Sequence, residues 1–466
     1  MALGKRTTAS QDDLFLTHDQ LPKSPGHAFY RQLNEVLANA NFDPWLEQEC
    51  APYYSQLGRS SIPPGVYFRM LMVGYFEGIS SQRGIAWRCC DSLSIREFLG
   101  VPITQDTPDH SSLTNTRKRL PLELHQKLFA KMIELLHQHS LIKGHTVGVD
   151  STTLEANAAL KSIVRRADGQ DYEAYVTELM RAAGELEADE IPSTKERIQF
   201  DKKRKNKTFS NDEWQSPVDP DASIARMKDG TTHLAYKAEH VVDLETNAIL
   251  AAEIYANTQS DHATIEDSLT EANANLQHVE PTKQIKEVTA DTGYHSNAVI
   301  TTLTNDWDYR TYIPEADSQH NRVWTNKPPE QKRCVENNRR RCERDKGKQL
   351  QRERGEKVER TFAHLCETGG CRRTWIRGRE EVQKRYLISA LTHNLGLILR
   401  KVFGHGTPRS LQGSRASGFL FIYTIYLCQL AIYGFQQVRE TFFKQRYSIR
   451  QKIRSYRHNK ILVLPA

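Results

Sequence analysis

TVGVDSTTLEA, residues 146–156, opens with a short apolar run, Thr146 to Val149, that ends in an acid, Asp150. Its β-branched residues read as a buried strand. Ser151 to Ala159 is expected to turn away from it. A second run of the same design, IKEVTAD at 285–291, ends in Asp291. Between the two, HLAYKAEHVVD (233–243) and AILAAEIY (248–255) are β-rich and separated by Leu244 to Asn247, the pattern of a hairpin. Helical spacing follows at Asp261 to Leu276 and Asn297 to Thr304, then a strand at Tyr309 to Pro314. Further helices are expected at Lys357 to Cys366 and Val382 to Phe403. The alternation specifies an α/β domain, a mixed sheet flanked by helices.

The sequence before this region has a different character. Tyr30 to Ala40, Tyr67 to Gly78 behind Pro63-Pro64, Ile95 to Gly100, Ser111 to Leu120 behind Asp109, and Leu122 to Ser140 all carry helical signals. The expected organisation is a flexible N-terminus at 1–23, an all-helical domain at 24–142 and the α/β domain at 143–403. The last has charged insertions at about 161–216 and 315–355. A linker and an apolar, basic tail occupy 404–466.

Charge and cysteine usage narrow the function. Lys and Arg number 64 against 57 Asp and Glu, a net charge of +7. Between Gln331 and Arg360 twelve basic residues stand against six acidic ones, a local excess suited to a polyanion. Met1 to Gln20 lacks the apolar core of a signal peptide. Eight cysteines in 466 residues make no disulfide framework, so the expected compartment is cytoplasmic. Cys334, Cys342, Cys366 and Cys371 lack the tight pair spacing of structural zinc sites and read as reduced thiols. Gly418 to Phe435 is almost wholly apolar and about as long as a short span, but a membrane role is not the expectation.

Asp150 and Asp291 carry the chemistry. An acid directly after a buried strand stands at the rim of the sheet, where α/β proteins gather ligands. Two such strands side by side would bring the carboxylates within a few ångströms, where like charges repel unless a cation lies between them. Mg²⁺ suits such oxygen ligands, with Mn²⁺ as a substitute. Glu359, in GEKVERTFAHL (355–365), would complete a two-metal centre for phosphoryl transfer. The bland alternative for either Asp is a turn residue or helix cap.

GVDSTTLEANAA (148–159), HLAYKAEHVVD, TADTGYHS (289–296) and VERTF (358–362), taken in order, resemble the core of bacterial insertion-sequence DDE transposases. The helical segment, with the stretch 42–80 and TPDHSSLTNTRKRL (107–120), is similar to the N-terminal domain of one branch of them. The resemblance implies an RNase H-like fold, with Asp150, Asp291 and Glu359 as catalytic and metal-binding acids. It also implies Mg²⁺-dependent cleavage at terminal inverted repeats and strand transfer into target DNA, by a homodimer or larger assembly on double-stranded DNA. Tyr294 falls at the family's aromatic position. The third motif departs from the pattern: Gly355 stands where an Arg is usual and Cys366 where a basic residue is usual, with Arg352, Arg354 or Arg360 as substitutes. Glu353 and Glu356 are rival third acids. Lys237, Arg339, Arg340, Arg341, Arg352, Arg354 and Arg360 are the candidate DNA contacts. Thr114 to Arg119 is a candidate recognition surface, with helical packing or dimerisation as the alternative, and His295 could touch a phosphate or simply shape a turn. An inactive DNA-binding remnant and a metal-dependent nuclease are the competing functions.

Overall fold

The structure, a computed structural model, describes residues 17, 20–55, 57–58, 61–187, 189–205, 210–227, 230–316, 324 and 327–412. Two compact units divide the chain, 1–408 and 409–466. In the second, the described residues form one helical turn, Arg409–Gln412. The apolar Gly418 to Phe435 stretch lies outside the described residues. Among the described residues no helix is long and apolar enough to cross a membrane.

Among the described residues, the front of the first unit carries seven α-helices: α1 (Pro25–Asn39), α2 (Phe42–Cys50), α3 (Pro64–Glu77), α4 (Gln82–Asp91), α5 (Leu93–Leu99), α6 (His110–Arg119) and α7 (Leu122–Gln138). Pro64 starts α3, and Gly78 at φ 71° ends it in the left-handed conformation that favours glycine. The helix is apolar all round and nearly every residue is buried, as a central helix requires. Its one buried cation, Arg69, is held by Asp43 at 2.5 Å and 2.8 Å. Asp109 caps α6 by accepting from the Ser112 N–H at 2.8 Å. Much of the basic end of α6 serves packing. Arg117 is buried on Glu381 at 2.5 Å, and Arg119 lies over the Tyr54 ring and donates to Ser61.

Among the described residues the sheet has six strands: β1 (Thr146–Glu155), β4 (Ser223–Arg226), β5 (Thr232–Asp243), β6 (Ile249–Ala256), β7 (Glu287–Thr289) and β8 (Arg310–Tyr312). A separate two-stranded ribbon joins β2 (Val164–Arg165) to β3 (Trp214–Gln215). β5 is antiparallel to β1 on one side and to β4 and β6 on the other. β7 runs parallel to β1, and β8 parallel to β7. The β5–β6 hairpin is as expected. The turn expected after Asp150 is not: β1 continues to Glu155, because Ser151 to Glu155 pair residue by residue with Glu239 to Ala235. Asp150 therefore sits within β1, and Asp291 just beyond the end of β7.

The segment 161–216 carries α8 (Tyr172–Ala182), α9 (Thr194–Lys203), α10 (Ser210–Glu213) and the ribbon. The sheet is covered on both faces. α11 (Asp261–Val279) lies on one, reached by Ser151 and Glu239. α14 (Asp345–Phe362) and α15 (Arg379–Phe403) lie on the other, reached by Gly148 and His240. α12 (Asn297–Asn305) and α13 (Pro329–Glu343) pack at the β8 edge. The tract expected as an insertion at 315–355 is thus not looped out. Its second half, the start of α14, is a layer of the core, buried through Gly347 and Leu350 despite its charge.

Candidate active site

β1 and β7 set two acids side by side. The parallel register pairs Thr146 with Glu287, Val147 with Val288 and Gly148 with Thr289. Two residues further on come Asp150 and Asp291. Burial pushes the Asp150 carboxyl up, Arg354 pulls it down, and the Asp291 charge pushes it up again. Asp150 Oδ2 accepts from Arg354 Nη1 at 2.5 Å and its Oδ1 from the Ser151 N–H at 2.8 Å. Asp291 Oδ1 accepts from the Gly293 N–H at 2.9 Å, shaping a short turn. Tyr294 closes that turn: buried, it donates to Glu239 Oε2 at 2.9 Å and so ties the Asp291 loop to β5. His295 is half-buried in the same loop.

Glu359, the expected third acid, lies on α14. A Cβ on Gly148 would stand 2.9 Å from Val358 and 3.2 Å from Arg354, so only glycine lets the helix come this close to β1. Before that crossing, Gln351 donates to the carbonyls of Ala290 and Tyr312. After it, Thr361 hydrogen-bonds His240 at 2.8 Å and Phe362 stacks on the same ring at 4.1 Å. α14 therefore runs across the sheet from β7 and β8 to β5, with one flank toward the start of β1 and the other toward Asp150. Lys357 marks the first flank, since it donates to the Leu244 carbonyl, and the Leu244 N–H pairs with Thr146. Glu353 is on that flank, bonded to Lys357 at 3.2 Å. Glu359, two residues past Lys357, falls on the opposite flank. Gly355 and Arg352, four and seven residues before it, share its side. Glu356 is exposed and paired with Arg360 at 2.5 Å. Glu359 itself is exposed. Among the described residues, no three His, Cys, Asp or Glu side chains stand close enough together to hold one ion.

A polar network that the sequence did not announce supports this edge from the α11 face. Asp261, at the start of α11, accepts from Ser151 Oγ at 3.1 Å and from Lys237 Nζ at 3.2 Å. A Cβ on Gly293 would lie 2.7 Å from Asp261 Oδ2 and 3.2 Å from Asp291 Oδ1, so the two carboxylates flank that glycine. Lys237, expected to touch DNA, is instead buried: it bonds Thr264 at 2.8 Å and lies 3.7 Å from buried Glu239, whose carboxyl burial pushes up. Ser151, Lys237, Asp261, Gly293 and Arg372 line a cleft of about 610 Å³ beside the acids.

The other candidate DNA contacts separate by partner. Arg341 is half-buried and fastens α13 to β8, donating to the Thr311 carbonyl and hydroxyl at 3.0 Å each. Arg354 is committed to Asp150. Arg339, paired with Glu315 at 3.0 Å, and Arg340, Arg352 and Arg360 are on the surface. Of the four cysteines weighed for zinc, buried Cys334 donates to Asn305 and Cys371 to Ser389, while Cys366 is buried in the π-helical turn Ala363–Thr368 that follows α14.

Residues 17–119 match a family model described as a transposase domain (DUF772), and residues 189–395 match one described as a transposase DDE domain. The second match contains Asp291 and Glu359, and Asp150 lies between the two. No curated protein and no solved structure matches the chain. With one transposase domain in its helical front and the DDE domain over most of its sheet, the chain belongs to the DDE transposases of insertion-sequence type, a family of DNA-processing enzymes.

Proposed function

We propose that the chain binds the terminal inverted repeats of its own mobile element, cuts there and joins the ends to target DNA. Asp150, Asp291 and Glu359 are the acids of an RNase H-like core. The placement of Asp150 on β1 beside Asp291, just past the end of parallel β7, supports the reading best. An RNase H-like core also accounts for a sheet in which an antiparallel run, β1, β5 and β6, is extended by parallel β7 and β8.

The residues fit a divalent ion. The Asp291 charge acts on the half-buried Asp150 carboxyl, and the Arg354 guanidinium pairs with it. Asp150 and Asp291 would hold the ion, with Glu359 approaching along the free flank of α14. Bound Mg²⁺, or Mn²⁺ in its place, supplies an acidified water or 3′-hydroxyl and a counter-charge for the departing oxygen. The chain's own contribution is placement. The sheet register fixes the two Asp carboxylates, and the Tyr294–Glu239 bond holds the Asp291 loop. Arg354 opposes the upward push that burial gives the Asp150 carboxyl. Arg339, Arg340, Arg352 and Arg360 are the phosphate contacts, giving sequence-independent affinity that falls with salt.

The test is purified protein with Mg²⁺ and DNA carrying the element ends. Joined products support the proposal. Nicks alone indicate a nuclease, and a gel shift without metal-dependent cleavage indicates an inactive DNA-binding remnant.

A further inference from the structure

Past the end of α14 the chain turns back and lies along the far end of β1. The Glu155 N–H donates to the Arg372 carbonyl at 2.9 Å, and the Thr374 N–H donates to the Glu155 carbonyl at 2.8 Å. Asn157 Nδ2 donates to the Trp375 carbonyl at 3.1 Å, and Arg377 donates to the Asn157 carbonyl at 3.2 Å. The Gly378 N–H donates to Asp219 at 3.1 Å. These bonds hold the segment against the end of β1, with one bridge between Glu155 and Arg373 and bends at Arg372, Trp375, Ile376 and Gly378. Arg373, Trp375, Arg377 and Arg379 are exposed, whereas Arg372, Thr374, Ile376 and Gly378 are partly covered.

The exposed side is a row of cations with one aromatic ring among them. Trp375 is 50% exposed, although its indole N–H is fixed on Ser80 Oγ at 2.8 Å. The Arg373 guanidinium lies 5.2 Å from the ring centroid. The acids nearby include Glu155, 3.5 Å from Arg373, Glu367, taken by Arg372, Asp221, which accepts from the Arg379 backbone, Asp219, which accepts from the Gly378 N–H, and Glu380, paired with Lys384. Arg372 links the row to the acidic site by donating to Thr152 Oγ1 at 3.2 Å and the Thr153 carbonyl at 3.1 Å. Asp150 and Glu155 are five residues apart on β1, about 17 Å at ~3.3 Å per residue.

We propose that Arg373, Trp375 and Arg377 form a track for a single DNA strand passing the acidic site, with an unpaired base stacked on Trp375. The inference rests on the DNA-cleaving function proposed above. An indole face accepts any base, and flanking guanidiniums hold the phosphates. A fully paired duplex keeps its base faces stacked internally and offers Trp375 nothing.

The experiment measures binding of a labelled mixed-sequence single strand, and of the same sequence as duplex, without divalent metal. Trp375→Ala should weaken single-strand binding roughly 5- to 150-fold and leave duplex binding unchanged, whereas Trp375→Phe should retain most of it. Arg373→Ala with Arg377→Ala should lower the salt slope by about 0.7 for each phosphate left without its guanidinium. Thermal melting of each variant checks its fold. A Trp375→Ala protein that melts normally and binds the single strand like wild type overturns the track, and so does equal loss of both DNA forms. If wild type cleaves end-bearing DNA in those circumstances, the track alone falls. Wild type that binds neither form sinks the proposed function as well.

Discussion

Asp150 and Asp291 are placed by backbone pairing, whereas Glu359 is placed by how a helix packs. The first two follow from the β1–β7 register, which cannot slip by one residue without turning every side chain to the other face. Glu359 depends on α14 being pressed against Gly148 and fastened at its far end to His240. Acids fixed by register tolerate disturbance around them. An acid on a helix flank depends on each contact that seats the helix.

That contrast can be broken most severely at the sheet. Asp150→Ala or Asp291→Ala should cost on the order of a thousandfold in cleavage while DNA binding persists, as gel shift beside product analysis will read. Comparable cleavage in either variant would remove the sheet acids from the chemistry. A second comparison sharpens the helix side. Glu359→Gln should approach the same loss, but Glu353→Gln and Glu356→Gln should stay close to wild type. Glu353 lies on the Lys357 flank and Glu356 at the surface with Arg360. Equal loss in all three would mean that the flank assignment is wrong.

Moving the helix without touching an acid should have an intermediate effect. Gly148→Val puts bulk where Val358 and Leu244 already stand within 2.9 Å of a Cβ. Overpacking of this kind costs about 1–3 kcal/mol in stability, and an ångström of displacement costs roughly a hundredfold in rate. Denaturant melts and single-turnover rates measure the two losses. An unchanged rate would show that the position of α14 does not matter.

A further effect is set by pH. Burial pushes His125 down to about 4 and His393 to about 3, and it holds His240 well below the ordinary histidine range. In the unfolded chain these rings take up protons below about pH 6.5. Stability should therefore be flat for these groups above that pH. It should fall as pH drops toward each lowered value, by about 1.4 kcal/mol per unit for each ring. His240 seats the end of α14, so the helix acid should lose its support in the same window. Thermal melts of wild type and His125→Gln from pH 7 to 4 check this by difference, because Glu253, pushed by burial up to about 8, contributes with the opposite sign in the same window. Parallel profiles would contradict it.

The sheet acids were legible because an apolar run broken by an acid is a local signal. The hairpin and the helices behind Pro63-Pro64 and Asp109 were legible for the same reason. The continuation of β1 through Ser151 to Glu155 was not, since small polar residues read as a turn until β5 is known to pair with them. The start of α14 looked like a solvated charge run because its few buried positions, Gly347 and Leu350, meet the core only in three dimensions. Lys237 read as a DNA contact because nothing local reveals Asp261 or Thr264 beside it, 24 and 27 residues away. The docking of Arg372 to Thr374 on Glu155 is equally silent in sequence, since the partner lies more than two hundred residues earlier.

The most direct test of the central claim is anomalous diffraction from crystals of the protein soaked with Mn²⁺. The predicted result is a metal peak between the Asp150 and Asp291 carboxylates, on the side of α14 that carries Glu359. A peak ligated elsewhere, with Asp150 still bound to Arg354 and Asp291 free of metal, would contradict it.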